Sequence, residues 1–249
     1  MRCYGPGGNP GAFVFHGTIQ MTMTPKELVG KTAAKRIHDG MLIGLGTGST
    51  AKWFTHYVAE RVREENLNVR CVCTSDATEQ QARAAGLDVI PLGAGMTLDI
   101  CVDGADEFNA DLILIKGGGG AHVREKIVAR AARQVVIVTD ASKRVATLGA
   151  FPLPVAVLPF AAESTAELLH QCFEVPVTRR TSPDGTPFVS DDNLAILDLH
   201  FGVIQRPALL DQRIRQLPGV VDTGLFVGIA HEVLVAHPDG RVESVRPPA

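Results

Sequence analysis

The sequence predicts an α/β protein: an open, mostly parallel sheet with helices on both faces, plus a smaller α+β unit. Two observations carry this. Between residues 41 and 140, short runs apolar along their whole length (MLIGLG, VRCVC, LDVIPL, LDICVD, LILI, QVVIVTD) alternate with segments of helical spacing. Strands apolar on both faces belong in a parallel sheet covered on both sides. After FPLP (151–154) the order changes to strand, helix, strand, strand, helix, strand, the split βαβ arrangement.

The ordered chain is expected to open at Thr24-Pro25-Lys26-Glu27, with threonine at N-cap, proline at N1 and glutamate at N3 of a capping box. Leu28, Ala33, Ala34 and Ile37 continue a helical stripe that Asp39-Gly40 stops. MLIGLG (41–46) reads as a strand, and GTGST leads into a helix with Trp53, Phe54, Tyr57, Val58 and Val62 at helical spacing. VRCVC (69–73) is a strand, ATEQQARAAG (77–86) a helix closed by glycine, and LDVIPL (87–92), LDICVD (98–103) and LILI (112–115) are further strands. AHVREKIVARAAR (121–133) gives a helix and QVVIVTD (134–140) a strand, completing a Rossmann-like layer. VAVLPF, AAESTAELLHQCF, VPVTRR, NLAILDLHF, PALLDQRIRQL and VVDTGLF follow in ferredoxin-like order. EVLVAHPDGRVESV (232–245) reads as a hairpin turning at Asp239-Gly240 and returning to the first domain. The expected division is a disordered leader at 1–22, a site-bearing α/β domain at 23–152 plus 227–249, and a small α+β domain at 153–226.

With 249 residues, 45% hydrophobic and 20% charged, the chain has the composition of a globular protein with a full core. A net charge of −3 and 5% aromatic content offer neither a pull toward nucleic acid nor a base-stacking surface. No apolar run is long enough to span a bilayer. The five cysteines are odd in number, lack a C-x-x-C pair, and include three in apolar runs, so buried free thiols in a reducing, cytoplasmic setting are expected. In the Gly/Pro-rich first 20 residues, AFVF is too short for a signal sequence, and Met21 and Met23 offer later starts.

Three loops follow strand ends on one edge of the predicted sheet. GLGTGST (44–50) joins a strand to a helix: its glycines, Gly48 among them, free backbone N–H groups, and Thr47, Ser49 and Thr50 add hydroxyls, which suits a phosphate. It lacks the Gly-Lys-[ST] of a P-loop and the third glycine of a dinucleotide fingerprint, and a tight turn with a hydroxyl cap fits it as well. VDGADEFN (102–109) crowds Asp103, Asp106 and Glu107 around Gly104 and Ala105, able to hold sugar hydroxyls or pass a proton; an Asx-turn and helix cap is the plainer alternative. No ligand-spaced histidine accompanies the carboxylates, so no metal is expected. KGGGGAHVREK (116–126) follows LILI: Lys116 can steady an oxyanion, Gly117, Gly118 and Gly119 let a ligand lie on the backbone, and Glu125 sits near a helix start. Alone, Glu125 reads as a helix-dipole charge. Together the three loops describe a site for proton transfer on a phosphorylated polyol. DASKRV (140–145) adds a fourth strand end, where Asp140 can cap the turn and Lys143 either reach a phosphate or sit in solvent.

GLGTGST, TSDAT, DICVDGADEFN, LILIKGGGGAHVREKIVA, VTDASKRV and FPLPV, in this order, resemble type A ribose-5-phosphate isomerases from about Thr24 to Val245. The resemblance implies interconversion of D-ribose 5-phosphate and D-ribulose 5-phosphate without cofactor, in the pentose phosphate pathway, by a homo-oligomer (a dimer or a dimer of dimers). It makes Glu125 the base between C2 and C1 through an enediolate, Asp103 and Asp106 the holders of sugar oxygens that assist ring opening, and Lys116 the oxyanion partner. Thr47, Gly48, Ser49 and Thr50 match the phosphate-side loop, Lys143 a lysine near that phosphate, and Lys26 a further phosphate candidate. Gly120, where alanine is common in the family, is expected only to loosen the turn.

Two other readings compete. A deaminase or lactonase acting on another sugar phosphate would use a histidine, and the nearest, His122, reads as a solvated helix-start residue. A non-catalytic sugar-phosphate sensor would carry a DNA-binding module, for which the leader is too short and too rich in glycine.

Overall fold

The computed structural model describes residues 23–247. The expected leader lies outside them. The main sheet has seven strands, in the order Val242–Val245, Glu232–Ala236, Ala132–Asp140, Leu98–Asp103, Leu42–Leu45, Arg70–Cys73, Asp88–Val89. All neighbours are parallel except the edge pair made by the C-terminal hairpin, which turns at Asp239-Gly240 as its sequence predicts. Leu42–Leu45 is buried at every position, as a central parallel strand should be.

The direction of winding reverses between Leu42–Leu45 and Leu98–Asp103, which lie side by side although the chain visits two other strands between them. Carboxyl ends that diverge at such a switch point leave a crevice. GLGTGST leaves the first strand there and DGADE leaves the second.

The first helix, Pro25–Ala34, starts as expected, with Thr24 Oγ1 accepting from the Glu27 N–H at 3.3 Å. Glu27 does not close the capping box; its carboxylate accepts from Tyr57 Oη at 2.8 Å. The helix also stops short of Asp39-Gly40.

LILI does not enter the parallel sheet. Leu114–Ile115 pairs antiparallel with Glu107–Phe108 on one side and Leu225–Phe226 on the other, in a separate three-stranded sheet. The connection from Phe108 to Leu114 is too short for a parallel crossover, which needs a dozen residues or more. Asn109 turns it instead, its Oδ1 accepting from the N–H groups of Asp111 and Ile113. Two predicted elements also shrink: LDVIPL pairs only at Asp88–Val89, and the helix from residue 121 ends at Arg130.

The chain from Leu153 to Thr223 forms a four-stranded antiparallel sheet in the order Val220–Thr223, Leu153–Val157, Ala195–Leu199, Val177–Arg179, with helices Ala162–Phe173 and Pro207–Arg215. That is the expected ferredoxin-like arrangement. The strands contribute a core of their own around Leu153, Val155, Leu197 and Leu199. Glu107, grouped with the acidic cluster by sequence, faces away from it: its carboxylate accepts from the N–H groups of Gly149 (2.7 Å) and Phe151 (2.6 Å) and pins the segment entering this sheet. Cys71 and Cys101 are buried, Cys73 is half-buried, and Cys172 is exposed, contrary to the expectation of a buried thiol there.

Candidate active site

The cleft at the switch point has a volume of about 140 Å³. Thr47–Thr50 line one wall, Gly104–Asp106 and Lys116–Gly119 the opposite one, and Lys26, Glu125 and Lys143 complete it. Almost every site residue read from the sequence meets here. The exception is Asp103, which lies just beneath the cleft wall and is 2% exposed.

Asp103 ends a central strand, and both its oxygens are engaged. Oδ1 accepts from the N–H groups of Thr47 (3.0 Å) and Gly104 (2.7 Å), tying the first two loops together. Oδ2 lies 3.0 Å from Lys116 Nζ. Lys116 also donates to the Gly104 carbonyl at 2.6 Å and sits 5.4 Å from the centre of the Phe226 ring. Glu125, one turn into the helix His122–Arg130, places Oε2 3.3 Å from the same Nζ. That contact is ionic, since Oε2 has no hydrogen-bond partner of good geometry among the described residues. Asp106 Oδ2 accepts from the Gly118 N–H at 2.8 Å.

Two buried carboxylates around one ammonium carry a net negative charge. Burial pushes the Glu125 carboxyl up to about 8, Asp103 beside it adds to the shift, and Lys116 opposes it. Asp103 moves upward too, again through burial, against the pull of Lys116 and its backbone donors. Burial works against the Lys116 ammonium, but the two carboxylates outweigh it and raise its pKa. The trio therefore keeps a permanent cation next to a carboxylate that binds a proton near neutral pH.

At the other end of the cleft, Lys26 Nζ donates to Ser49 Oγ at 2.9 Å. The Thr47 hydroxyl does not face the cavity. It is enclosed by Thr74 Oγ1 (2.7 Å), Ser75 Oγ (2.8 Å) and Thr78 Oγ1 (3.2 Å), and Thr78 in turn donates to the Gly46 carbonyl. Thr47 thus lines the cleft with its N–H taken by Asp103 and its hydroxyl bracing the loop from below. Sequence reading missed this brace, although TSDAT stands directly after a strand. Asp140 caps the turn before Lys143, accepting from the Ser142 N–H at 3.0 Å.

The glycine run has an unexpected cause. A Cβ at Gly117 (φ +101°) would lie 2.7 Å from His122 Nδ1, one at Gly118 2.7 Å from Asp106 Oδ1, and one at Gly120 (φ +78°) 2.4 Å from Phe188 Cε1. Gly117 and Gly120 are therefore required by their positive φ as well as by their neighbours, while at Gly118 the Asp106 carboxylate leaves room for a side chain only by moving. Gly120 is not a loosening of the turn; an alanine there would collide with Phe188. His122 is not solvated. It is fully buried beneath Gly117, neither ring nitrogen finds a partner among the described residues, and burial followed by nearby Lys126 pushes its pKa down to about 3. A neutral imidazole outside the cavity wall cannot serve as the acid of a deaminase.

A switch-point crevice with a buried Asp–Lys–Glu cluster at one end and a helix-start loop at the other defines an α/β protein with a polar ligand cleft at the carboxyl ends of its strands. Residues 70–240 match the family model for ribose 5-phosphate isomerase A (phosphoriboisomerase A). A relative from Ruegeria pomeroyi, named ribose-5-phosphate isomerase A, is 48% identical over 88% of this chain and 85% of its own. The solved ribose 5-phosphate isomerase A of Methanocaldococcus jannaschii superposes with a TM-score of 0.84 at 37% identity, covering 89% of this chain and 98% of that one. A D-ribose-5-phosphate isomerase solved in complex with phospho-erythronic acid gives a TM-score of 0.85 at 31% identity, covering 89% and 97%. The chain belongs to the ribose 5-phosphate isomerase A family, which interconverts ribose 5-phosphate and ribulose 5-phosphate.

Proposed function

We propose that the chain performs this isomerisation through an enediolate with Glu125 as the base. The observation that carries the reading is the buried trio: a carboxylate whose pKa is raised toward neutrality, 3.3 Å from a permanent ammonium, at the inner end of a cleft whose outer end suits a phosphate. With the phosphate held by the Gly48–Thr50 backbone and hydroxyls, Lys143 and Lys26, the open-chain sugar extends inward. Glu125 takes the C2 proton of ribose 5-phosphate, and the electron pair moves to the C1 carbonyl oxygen. Lys116 stabilises the oxyanion that forms. Return of the proton at C1, with transfer of the O2 hydroxyl proton to O1, gives ribulose 5-phosphate. A base is most effective when its pKa lies near the working pH, which is what burial gives Glu125. Asp106 and the Gly117–Gly119 backbone contact the sugar oxygens, while Asp103 holds Lys116 and the Thr47 and Gly104 amides.

No metal is needed, because Lys116 and backbone N–H groups supply the positive charge. Residues 153–226 form a small domain beside the α/β domain at 23–152 plus 227–247, and the enzyme works in the cytoplasm as a homo-oligomer. No helix among the described residues is long and apolar enough to cross a membrane.

Glu125→Gln tests the reading. The amide keeps the shape but cannot take the C2 proton. Turnover should fall roughly 10²–10⁴-fold or more while affinity for phospho-erythronic acid stays within about threefold. Near-normal turnover would remove Glu125 from the mechanism.

A further inference from the structure

We propose that Arg180, supplied by the four-stranded sheet, is a positioning residue for the isomerisation, orienting the peptides of the glycine loop so that the Gly119 N–H faces the cleft as a donor to substrate oxygen. The inference rests on the reading of the cleft given above.

Arg180 stands just beyond the strand Val177–Arg179, its own N–H donating to the Ile196 carbonyl at 2.9 Å. Its guanidinium is gripped by Asp198 on the neighbouring strand: Nε donates to Oδ2 at 2.9 Å and Nη2 to Oδ1. A forked pair of this kind fixes the plane of the guanidinium. Nη1 then points out of the sheet and donates to two successive carbonyls of the loop, Gly117 O at 2.6 Å and Gly118 O at 3.1 Å. The Phe188 ring centre lies 5.9 Å from the guanidinium and beside Gly120, and the Phe188 N–H donates to the Arg180 carbonyl at 2.9 Å, so one short hairpin at 180–188 holds both ends of the loop.

The consequence follows from peptide geometry. No cis peptide occurs among the described residues, and in a trans peptide the N–H points opposite to the C=O of the same plane. Pulling the Gly117 carbonyl toward Arg180 sends the Gly118 N–H the other way, and it is found on Asp106 Oδ2 at 2.8 Å. Pulling the Gly118 carbonyl the same way sends the Gly119 N–H outward from Arg180. No backbone carbonyl among the described residues takes that N–H, and Gly119 lines the cleft. The loop closes one turn of its own, the Gly120 N–H donating to the Gly117 carbonyl at 2.9 Å, but nothing within it holds the Gly118 carbonyl, and a peptide between two glycines turns easily. Arg180 supplies that hold without touching the cavity.

The experiment compares Arg180→Ala, Arg180→Lys and Asp198→Asn with the wild type in one coupled assay for ribulose 5-phosphate, with inorganic phosphate as a competitive inhibitor of the outer end. For Arg180→Ala, kcat should fall about tenfold to a hundredfold, since a small misplacement of a donor costs this much. Phosphate inhibition should stay within about twofold. Added guanidinium ion should restore part of kcat in Arg180→Ala and none in the wild type. Arg180→Lys, which cannot hold Asp198 and two carbonyls in one plane, should remain impaired. If Arg180→Ala does not fold, Asp198→Asn takes its place: it keeps the cation, loosens its brace, and should lower kcat by a smaller factor with phosphate inhibition unchanged. Wild-type kcat in the variant that folds would overturn the proposal. So would a parallel loss of turnover and phosphate inhibition without guanidinium rescue. Glu125→Gln in the same assay separates the two ideas, because normal turnover there sinks the reading of the cleft itself, whatever Arg180 does.

Discussion

At the inner end of the cleft, Asp103, Lys116 and Glu125 are no more than 4% exposed, and each side chain touches another charge. At the outer end, Gly48 and Ser49 are exposed, and Lys26, Thr50 and Lys143 are half-buried around a helix start. The two ends use the same ingredients, charge and hydroxyl donors, in different dielectric settings. Burial at the inner end turns a glutamate into a group that exchanges a proton near neutral pH. Solvent at the outer end leaves charges free to meet an anion at little desolvation cost. One end is suited to chemistry and the other to holding.

Removing the shared cation should break the inner end most severely. Lys116→Met leaves two carboxylates buried without their ammonium, a loss of about 3–5 kcal/mol when a buried partner is deleted. The penalty should be large at pH 8 and shrink at pH 5, where the carboxylates take up protons. Turnover should drop roughly 10²–10³-fold through loss of oxyanion stabilisation. Thermal unfolding at the two pH values checks the first part, and a coupled assay at pH 8 checks the second. Equal stability loss at both pH values would mean that the trio is not the electrostatic unit described here.

The outer end should fail differently. On the proposed reading, Thr50→Ala and Lys143→Ala each remove a phosphate partner and no proton-transfer group. Loss of a charge-assisted hydrogen bond is worth about 1.5–3 kcal/mol, so affinity for phospho-erythronic acid should fall about ten- to a hundredfold with kcat much less affected. Titration calorimetry beside steady-state kinetics measures both, and unchanged affinity in the two variants would move the phosphate elsewhere.

The smallest effect belongs beneath the loop. Thr47→Val keeps the shape and deletes the hydroxyl that Thr74, Ser75 and Thr78 surround. Stability should fall by about 1 kcal/mol and phosphate affinity by less than about fivefold. A loss as large as that of Thr50→Ala would place the Thr47 hydroxyl on the substrate after all.

Much of this was legible in the sequence where chemistry and period agree. Runs apolar on both faces announced the parallel sheet, and the residues of three strand-end loops converge on one cleft. What was hidden depends on partners distant in the chain. LILI looks like its parallel neighbours, and only the short connection before it betrays an antiparallel pairing. His122 belongs by spacing to a helix start open to water, yet the tight turn at Gly117 folds over it. The glycine run suggested a ligand against the backbone, whereas positive φ and the neighbours His122 and Phe188 account for Gly117 and Gly120. Arg180 carried no local signal, because its role exists only once another sheet meets the glycine loop.

The central claim is that burial among Asp103 and Lys116 holds Glu125 as a carboxyl that titrates near neutral pH. ¹³C NMR of carboxyl-labelled glutamate in the free enzyme tests it most directly, with the Glu125 signal assigned by its absence in Glu125→Gln. The account predicts a titration far above the ordinary glutamate value of 4.5, at about 8. A group raised in the folded state contributes stability fully below its unfolded pKa and loses it as pH rises through the folded one, so Glu125 alone should make the fold less stable across that window. A Glu125 signal that titrates at or below 4.5 would contradict the account, because burial and Asp103 would then fail to outweigh Lys116 and the base would not be poised near neutral pH.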